Sequence, residues 1–152
     1  MRFFDTNILV YTQSDGDPRK KEIACDIVAE AIESGGDACI STQVLQEFCN
    51  TMRRKTHRST SEINALLDYF SDLWRCDISK ELAREALSVQ DEYGISYYDA
   101  LIVATAEKLG CTQILTEDLN DGQTYRGMVA VNPFKTHANT EPDALVDFSS
   151  NP

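Results

Sequence analysis

Four carboxylates in this chain stand where carboxylates can do chemistry: Asp5, Glu47, Asp99 and Asp118. Asp5 interrupts the largely apolar run Arg2-Phe3-Phe4-Asp5-Thr6-Asn7-Ile8-Leu9-Val10-Tyr11 almost at the first residue. Phe3 and Phe4 read as a short buried strand, with Asp5 at its carboxyl end and a helix beginning near Thr6. In open α/β sheets, that edge is where ligands bind. Asp118 follows the strand-like Gln113-Ile114-Leu115, so a parallel sheet would bring both carboxylates to one edge. Glu47 and Asp99 lie on helix flanks, about 115° and about 90° from the centres of their apolar faces.

Carboxylates gathered at such a cleft repel one another unless cations neutralise them. Mg2+ or Mn2+ is the natural occupant, because both accept all-oxygen coordination and retain waters. Such an ion orients a phosphodiester, activates a bound water and stabilises the leaving oxygen; two ions about 4 Å apart can share these roles. Each position also has a purely structural explanation. Asp is a good helix N-cap, which fits Asp5, and Ser96-x-x-Asp99 fits a capping box. Glu47 can be a solvated helix residue, and Asp118 and Asp121 can form Asx-type turns. Spacing alone leaves both readings open.

The elements that must position these groups alternate between short strands and longer helices. Ser14-Asp15-Gly16-Asp17-Pro18 is a turn with Asp17 as N-cap and Pro18 at the first helical position. The helix it opens runs to about Ser34 and stops at Gly35-Gly36. Asp37-Ala38-Cys39-Ile40 is a second strand, with Ser41 or Thr42 capping a helix that faces inward through Val44, Leu45, Phe48 and Met52. Thr56 to Thr60 is a polar break, and the basic cluster Arg53, Arg54, Lys55, His57 and Arg58 surrounds it. A helix is predicted over Ser61 to Trp74, then a brief strand at Cys76-Asp77-Ile78. The next helix spans Ser79 to Tyr93 through Leu82, Ala83, Ala86, Leu87 and Gln90. Another spans about Ser96 to Leu109, with Tyr98, Leu101, Ile102, Thr105, Ala106 and Leu109 inward. Val129-Ala130-Val131 is the last strand. This alternation implies a three-layered α/β domain with a mainly parallel sheet.

At 152 residues the chain fits one domain with a substantial core. The five cysteines, Cys25, Cys39, Cys49, Cys76 and Cys111, are scattered without C-x-x-C spacing. They read as small buried hydrophobes in a reducing compartment. Only His57 and His137 are available as imidazoles, which turns metal chemistry toward carboxylates. No apolar run reaches membrane-spanning length, and the expected location is cytoplasmic. The net charge of −11 excludes a broad basic grip on duplex nucleic acid. It does not exclude a nuclease whose acidic residues hold cations, since these reverse the local field.

Four blocks in order resemble the PIN domain: the Asp5 stretch, Ser41-Thr42-Gln43-Val44-Leu45-Gln46-Glu47, Tyr98-Asp99-Ala100-Leu101-Ile102-Val103-Ala104-Thr105-Ala106, and Ile114-Leu115-Thr116-Glu117-Asp118-Leu119-Asn120-Asp121-Gly122. The resemblance covers about Arg2 to Phe134 and is nearest to the VapC-type toxins of bacterial toxin–antitoxin pairs. It implies a three-layer α/β/α fold and a metal-dependent endoribonuclease, with Asp5, Glu47, Asp99 and Asp118 as the acidic quartet around Mg2+ or Mn2+. Thr6 or Asn7 and Thr116 would support the site. Asp121 competes with Asp118 for the fourth acidic role, and Asp118 is favoured. The resemblance further implies a homodimer and an antitoxin whose C-terminal segment blocks the cleft. The nuclease domain is expected over residues 1–135, with 136–152 as a C-terminal tail of unassigned role. Arg53, Arg54, Lys55 and Arg58 would steer RNA phosphates, or else form a solvated helix end. The other readings are a catalytically silent RNA- or partner-binding scaffold and a haloacid dehalogenase-like phosphatase. The phosphatase reading is weakened because Asn7 stands where a second Asp is wanted.

Overall fold

Three- and four-residue apolar segments are too short to form helices and are long enough to cross a buried sheet. In the computed structural model, which describes residues 1–135, they form β1 (Arg2–Phe4), β2 (Ala38–Ser41), β3 (Trp74–Cys76), β4 (Gln113–Leu115) and β6 (Met128–Val131). A further two-residue strand, β5 (Thr124–Tyr125), completes a six-stranded sheet in the order β3-β2-β1-β4-β6-β5. Every pairing is parallel except β5 with β6. All four β2 residues are buried, as expected when helices cover both faces of a parallel sheet. The expected α/β class and mainly parallel sheet are observed.

The helices are α1 (Thr6–Tyr11), α2 (Pro18–Ser34), α3 (Thr42–Thr51), α4 (Thr60–Tyr69), α5 (Lys80–Tyr93) and α6 (Tyr97–Lys108). Local chemistry sets their ends. The Asp17 carboxylate caps α2, which begins at Pro18 and stops where Gly35 turns left-handed. Ser59 and Glu62 form a capping box on α4. The core includes Phe3, Phe4, Ile8, Leu9, Phe48, Phe70 and Ile114, each fully buried. Burying side chains of this size contributes about 1.5–3 kcal/mol each. Phe48 and Phe70 meet edge to face at 5.2 Å, which ties α3 to the end of α4.

β1 lies between β2 and β4: Phe3 faces Cys39 on one side and Ile114 on the other. The chain therefore leaves β1 in one direction and later returns on its opposite flank. This creates a switch point at the carboxyl ends of β1 and β4, where Asp5 and the 116–122 loop begin.

Several local expectations need correction. The helix expected to reach Trp74 ends at Tyr69; Ser71–Leu73 form a 3-10 turn and Trp74 enters β3 beside Ile40. Its periodicity continued past the point where Phe70 plugs the core. Helix α3 continues into a π-helical turn, Met52–Thr56, so Arg53, Arg54 and Lys55 are helical and the polar break starts at His57. Leu87 and Tyr98, expected inward, are 53% and 64% exposed. In α6 every residue from Ala100 to Ala106 is buried, so the run has no polar face from which to read direction. β5 went unrecognised because two residues carry too little pattern. Its signal is the Arg126-Gly127 turn, where both residues have positive φ, as tight hairpins require. The stretch from Thr136 onward, with Ala144–Phe148 and His137, lies outside the described residues. No described helix is long and apolar enough to cross a membrane.

Candidate active site

Asp5 is placed by both backbone and side-chain bonds. Its N–H donates to the Leu115 carbonyl at 3.0 Å, extending the β1–β4 pairing by one residue. Its carboxylate accepts the Thr6 N–H at 2.6 Å, the Thr116 hydroxyl at 2.6 Å and the Asn7 amide at 3.0 Å. Asp5 therefore does cap α1, as its alternative reading required, but the cap occupies one oxygen only. The other oxygen faces Thr116 and Asn7.

The same polar side chains connect Asp5 to two more carboxylates. The Thr6 hydroxyl donates to Glu47 at 3.1 Å. The Asn7 amide nitrogen, beyond its bond to Asp5, approaches the Thr116 hydroxyl at 3.3 Å and the Asp118 carboxylate at 3.2 Å. The Asp118 N–H donates to the Thr116 hydroxyl at 3.1 Å. Thr116 thus organises the loop after β4 while it holds Asp5. On α3, Gln43 donates to Glu47 at 2.8 Å and to the Tyr98 carbonyl at 3.2 Å, bracing α3 against the start of α6. Gln43 was not singled out by sequence reading. Its signal is the i, i+4 spacing to Glu47, which places both on one helix face.

Asp99 is not joined to this group. It makes two bonds with Ser96: its carboxylate accepts the hydroxyl at 2.6 Å and its N–H donates back at 3.1 Å. The capping alternative therefore describes its contacts, although Gln43 ties the adjacent Tyr98 to Glu47. Asp121 turns to a different task, accepting the Asn132 N–H at 2.8 Å and facing Lys135 at 3.7 Å. In the basic cluster, Arg53 donates to the Arg58 carbonyl and the Thr60 hydroxyl, and Arg58 lies 3.9 Å from Glu62. Arg54 and Lys55 are exposed. Lys55 and Arg58, with Asp15, His57 and Glu62, line a separate cleft of about 600 Å3.

Burial pushes the Asp5 carboxyl up to about 7, and the nearby charges of Asp118 and Glu47 add to this against the lowering bonds from Thr116 and Thr6. Among the described residues, no lysine or arginine pairs with Asp5, Glu47, Asp99 or Asp118. As placed, no three described carboxylate, thiol or imidazole groups converge tightly enough to hold an ion. The donor chemistry nevertheless fits a hard divalent cation: all-oxygen ligands, uncompensated negative charge, and a neutral amide bridging Asp5 and Asp118. Asn7 Oδ1, on the same amide, is buried without a hydrogen-bond partner. It would offer such an ion one more oxygen.

A second network fixes the loop that carries Asp118. Lys20 on α2 reaches Glu117 at 2.6 Å and the Tyr11 hydroxyl at 2.9 Å, while Tyr11 donates to Glu117 at 2.6 Å. The bond to Glu117 raises the affinity of Lys20 for its proton. The Lys20 ammonium also lies 4.5 Å from the Tyr11 ring centre, a cation–π contact. Sequence reading missed this clamp because its members come from three separate elements.

Comparison with known proteins bears on the fold and the family. The chain resembles a solved structure described as a toxin–antitoxin complex from Klebsiella pneumoniae, with a TM-score of 0.60 and 25% identity over 89% of this chain and 99% of that one. It also resembles VapC20 of Mycobacterium tuberculosis, described as a toxin that cleaves the sarcin–ricin loop. There the TM-score is 0.56 and the identity 22%, over 75% of this chain and 87% of that one, a likeness of fold. No curated protein matches the sequence. The PIN domain matches residues 2–123, which include all four candidate carboxylates, and the chain belongs to the PIN domain family.

Proposed function

We propose that this protein is a divalent-metal-dependent endoribonuclease and the toxin of a toxin–antitoxin pair. One observation carries the reading. Asp5, Glu47 and Asp118, from the end of β1, α3 and the loop after β4, are linked at one sheet edge, and no lysine or arginine among the described residues pairs with them. Mg2+ or Mn2+ held there would activate a water toward the phosphodiester and stabilise the leaving oxygen. The chain's own residues set up that arrangement. Asp5, Glu47 and Asp118 supply charged oxygens, and Asp99, one turn into α6, is the fourth acid. Thr6, Asn7 and Thr116 aim those carboxylates, and the Lys20–Glu117 clamp holds the loop on which Asp118 sits.

Exposed Arg54 and Lys55 supply positive charge to steer RNA, while Arg53 and Arg58 are partly engaged within the chain. The partners of this reading are RNA, a cognate antitoxin and a second copy of the chain, with residues 1–135 as the nuclease domain and 136–152 as its tail. The Klebsiella relative, solved with an antitoxin, supports that partnership. Five cysteines without a disulfide suit the cytoplasm, although only Cys39, Cys76 and Cys111 are buried as expected, Cys49 is half-buried and Cys25 is exposed. Purified protein should cut RNA in Mg2+ or Mn2+ and stop in chelator. Full cleavage by Asp5→Asn, or cleavage indifferent to chelator, would sink the assignment.

A further inference from the structure

Glu47 faces two ways. It joins Thr6 at the acidic site and also lines a cleft of about 420 Å3 with Gln43, Gln46, Asn50 and Tyr98. Tyr98 is 64% exposed, more than any other large hydrophobic side chain described. Its backbone is not loose, because Gln43 binds its carbonyl. Its ring meets Tyr97 edge-on at 5.6 Å, a contact that leaves a ring face uncovered. Gln43 itself is only 5% exposed, and its Oε1 has no hydrogen-bond partner. Gln43 thus backs the cleft as a buried brace and not as an exposed contact.

The lining chemistry selects the occupant. Its only charge is the Glu47 carboxylate, which repels phosphate. Gln46 and Asn50, one helical turn apart on α3 and both exposed, each offer an amide donor and acceptor, the complement of a nucleobase edge. An exposed phenol ring is a stacking surface for an unpaired base. Four residues beyond Asn50, exposed Arg54 has no ion-pair partner among the described residues. A stripe of helical spacing therefore runs from carboxylate to amides to cation.

We propose that this cleft is a nucleobase subsite beside the cleavage site. An unpaired base of the RNA stacks on Tyr98, and its edge is held by Gln46 and Asn50. The chain beyond it continues toward Arg54. Identification of the occupant as RNA rests on the nuclease reading above, and the test separates the two.

The test uses full-length Asp5→Asn protein, in Mg2+, with a short single-stranded oligoribonucleotide containing 2-aminopurine, whose fluorescence falls on stacking. Binding should quench the probe. Adding Tyr98→Ala should remove the quench and weaken binding about tenfold, the scale of one base–aromatic stack, while Tyr98→Phe and Tyr98→Trp keep both. Tyr98 is exposed, so the fold should survive, as circular dichroism would verify. Cleavage of unlabelled RNA by the native protein is measured in parallel. If native protein cleaves but Tyr98→Ala binds and quenches like its parent, the subsite is wrong and the nuclease reading stands. A seat for a protein partner on Tyr98 predicts that same result. Tyr98-dependent quenching without metal-dependent cleavage keeps the subsite and removes the nuclease; absence of RNA binding removes the subsite, and absence of cleavage as well removes both.

Discussion

Two groups of three carboxylates in this molecule solve the same electrostatic problem in opposite ways. Glu85 and Glu92 on α5 and Glu107 on α6 surround the Arg126 guanidinium at 3.2, 2.6 and 3.3 Å. All three are at least 41% exposed, so water screens what the arginine leaves. Asp5, Glu47 and Asp118 surround the Asn7 amide and two threonine hydroxyls, and Asp5 is 6% exposed. The first cluster has its cation built in and needs nothing more. The second keeps a buried acid beside two others with only neutral donors, and the cap that Asp5 gives α1, worth about 1 kcal/mol, is small against the cost of burying its charge. That condition is the ground on which a divalent cation is proposed for this site.

The largest effect expected from breaking this contrast is on cleavage. Asp5→Asn preserves the shape and the Thr116 contact but removes the charge at the centre of the group. RNA cleavage should fall by a factor on the order of a thousand, the scale of single electrostatic elements in active sites. Arg126→Met, at the other cluster, should leave cleavage within about twofold, the spread of ordinary surface substitutions. Initial rates on one RNA at fixed Mn2+ would check both. Equal losses in the two variants would abolish the distinction.

The second effect concerns stability against pH in chelator. The folded-state value of Asp5 lies near 7 against 3.8 for the free side chain. The stabilisation from its bound proton is therefore complete below about pH 4 and is lost as pH rises through about 7. A shift of this size corresponds to roughly 4 kcal/mol, using about 1.4 per pH unit. Metal-free protein should melt several degrees lower at pH 8 than at pH 5, and Asp5→Asn should flatten that slope. Mn2+ should restore the native protein at pH 8 and do little for the variant. Calorimetric melts across this range would measure it. A flat profile for native protein would show that Asp5 ionises without strain.

Asn7 offers a smaller and sharper probe. It bridges Asp5 and Asp118 and supports both. Asn7→Ala removes an orienting group while keeping every carboxylate. Apparent Mn2+ affinity should fall about 10–100-fold, as when outer partners of metal ligands are removed. Titration of cleavage rate against Mn2+ separates this from a loss of maximal rate. An unchanged midpoint would reduce Asn7 to a spacer.

The contrast between the clusters was half legible in the sequence. Asp5 and Asp118 follow apolar strands, so a parallel sheet brought them to one edge by topology alone. Glu47 was placed on a flank by helical period. The connections were not legible: Thr6 to Glu47 spans 41 residues and Asn7 to Asp118 spans 111, and no local pattern encodes such pairs. Asp99 shows the reverse. The Ser96-x-x-Asp99 spacing announces a capping box, and half of one is observed: the Ser96 hydroxyl caps the Asp99 N–H, while the Asp99 carboxylate takes the Ser96 hydroxyl instead of its backbone N–H. Tyr98 misled because α6 is apolar all round, so its outward face had no polar marker. The Arg126 cluster was invisible because β5 itself was, and the left-handed backbone of Arg126 that aims its side chain (φ 48°) leaves no mark in composition.

The smallest expected effect tests the self-sufficient cluster directly. Arg126→Met removes the guanidinium and keeps much of its apolar stem. Three partly exposed glutamates are then left facing one another on α5 and α6. Exposed ion pairs are worth about 0–1 kcal/mol each, and solvent relaxes the remaining repulsion. The net loss should be on the order of 1 kcal/mol, or a few degrees of melting temperature. Because the remaining charges are screened by salt, the deficit should shrink as NaCl rises from 50 mM to 500 mM. It should not respond to Mn2+. Rescue of Arg126→Met by micromolar Mn2+ would mean that these glutamates, once stripped of their arginine, hold a metal as the site at the sheet edge is proposed to do, and the division between the two clusters would then rest on one side chain.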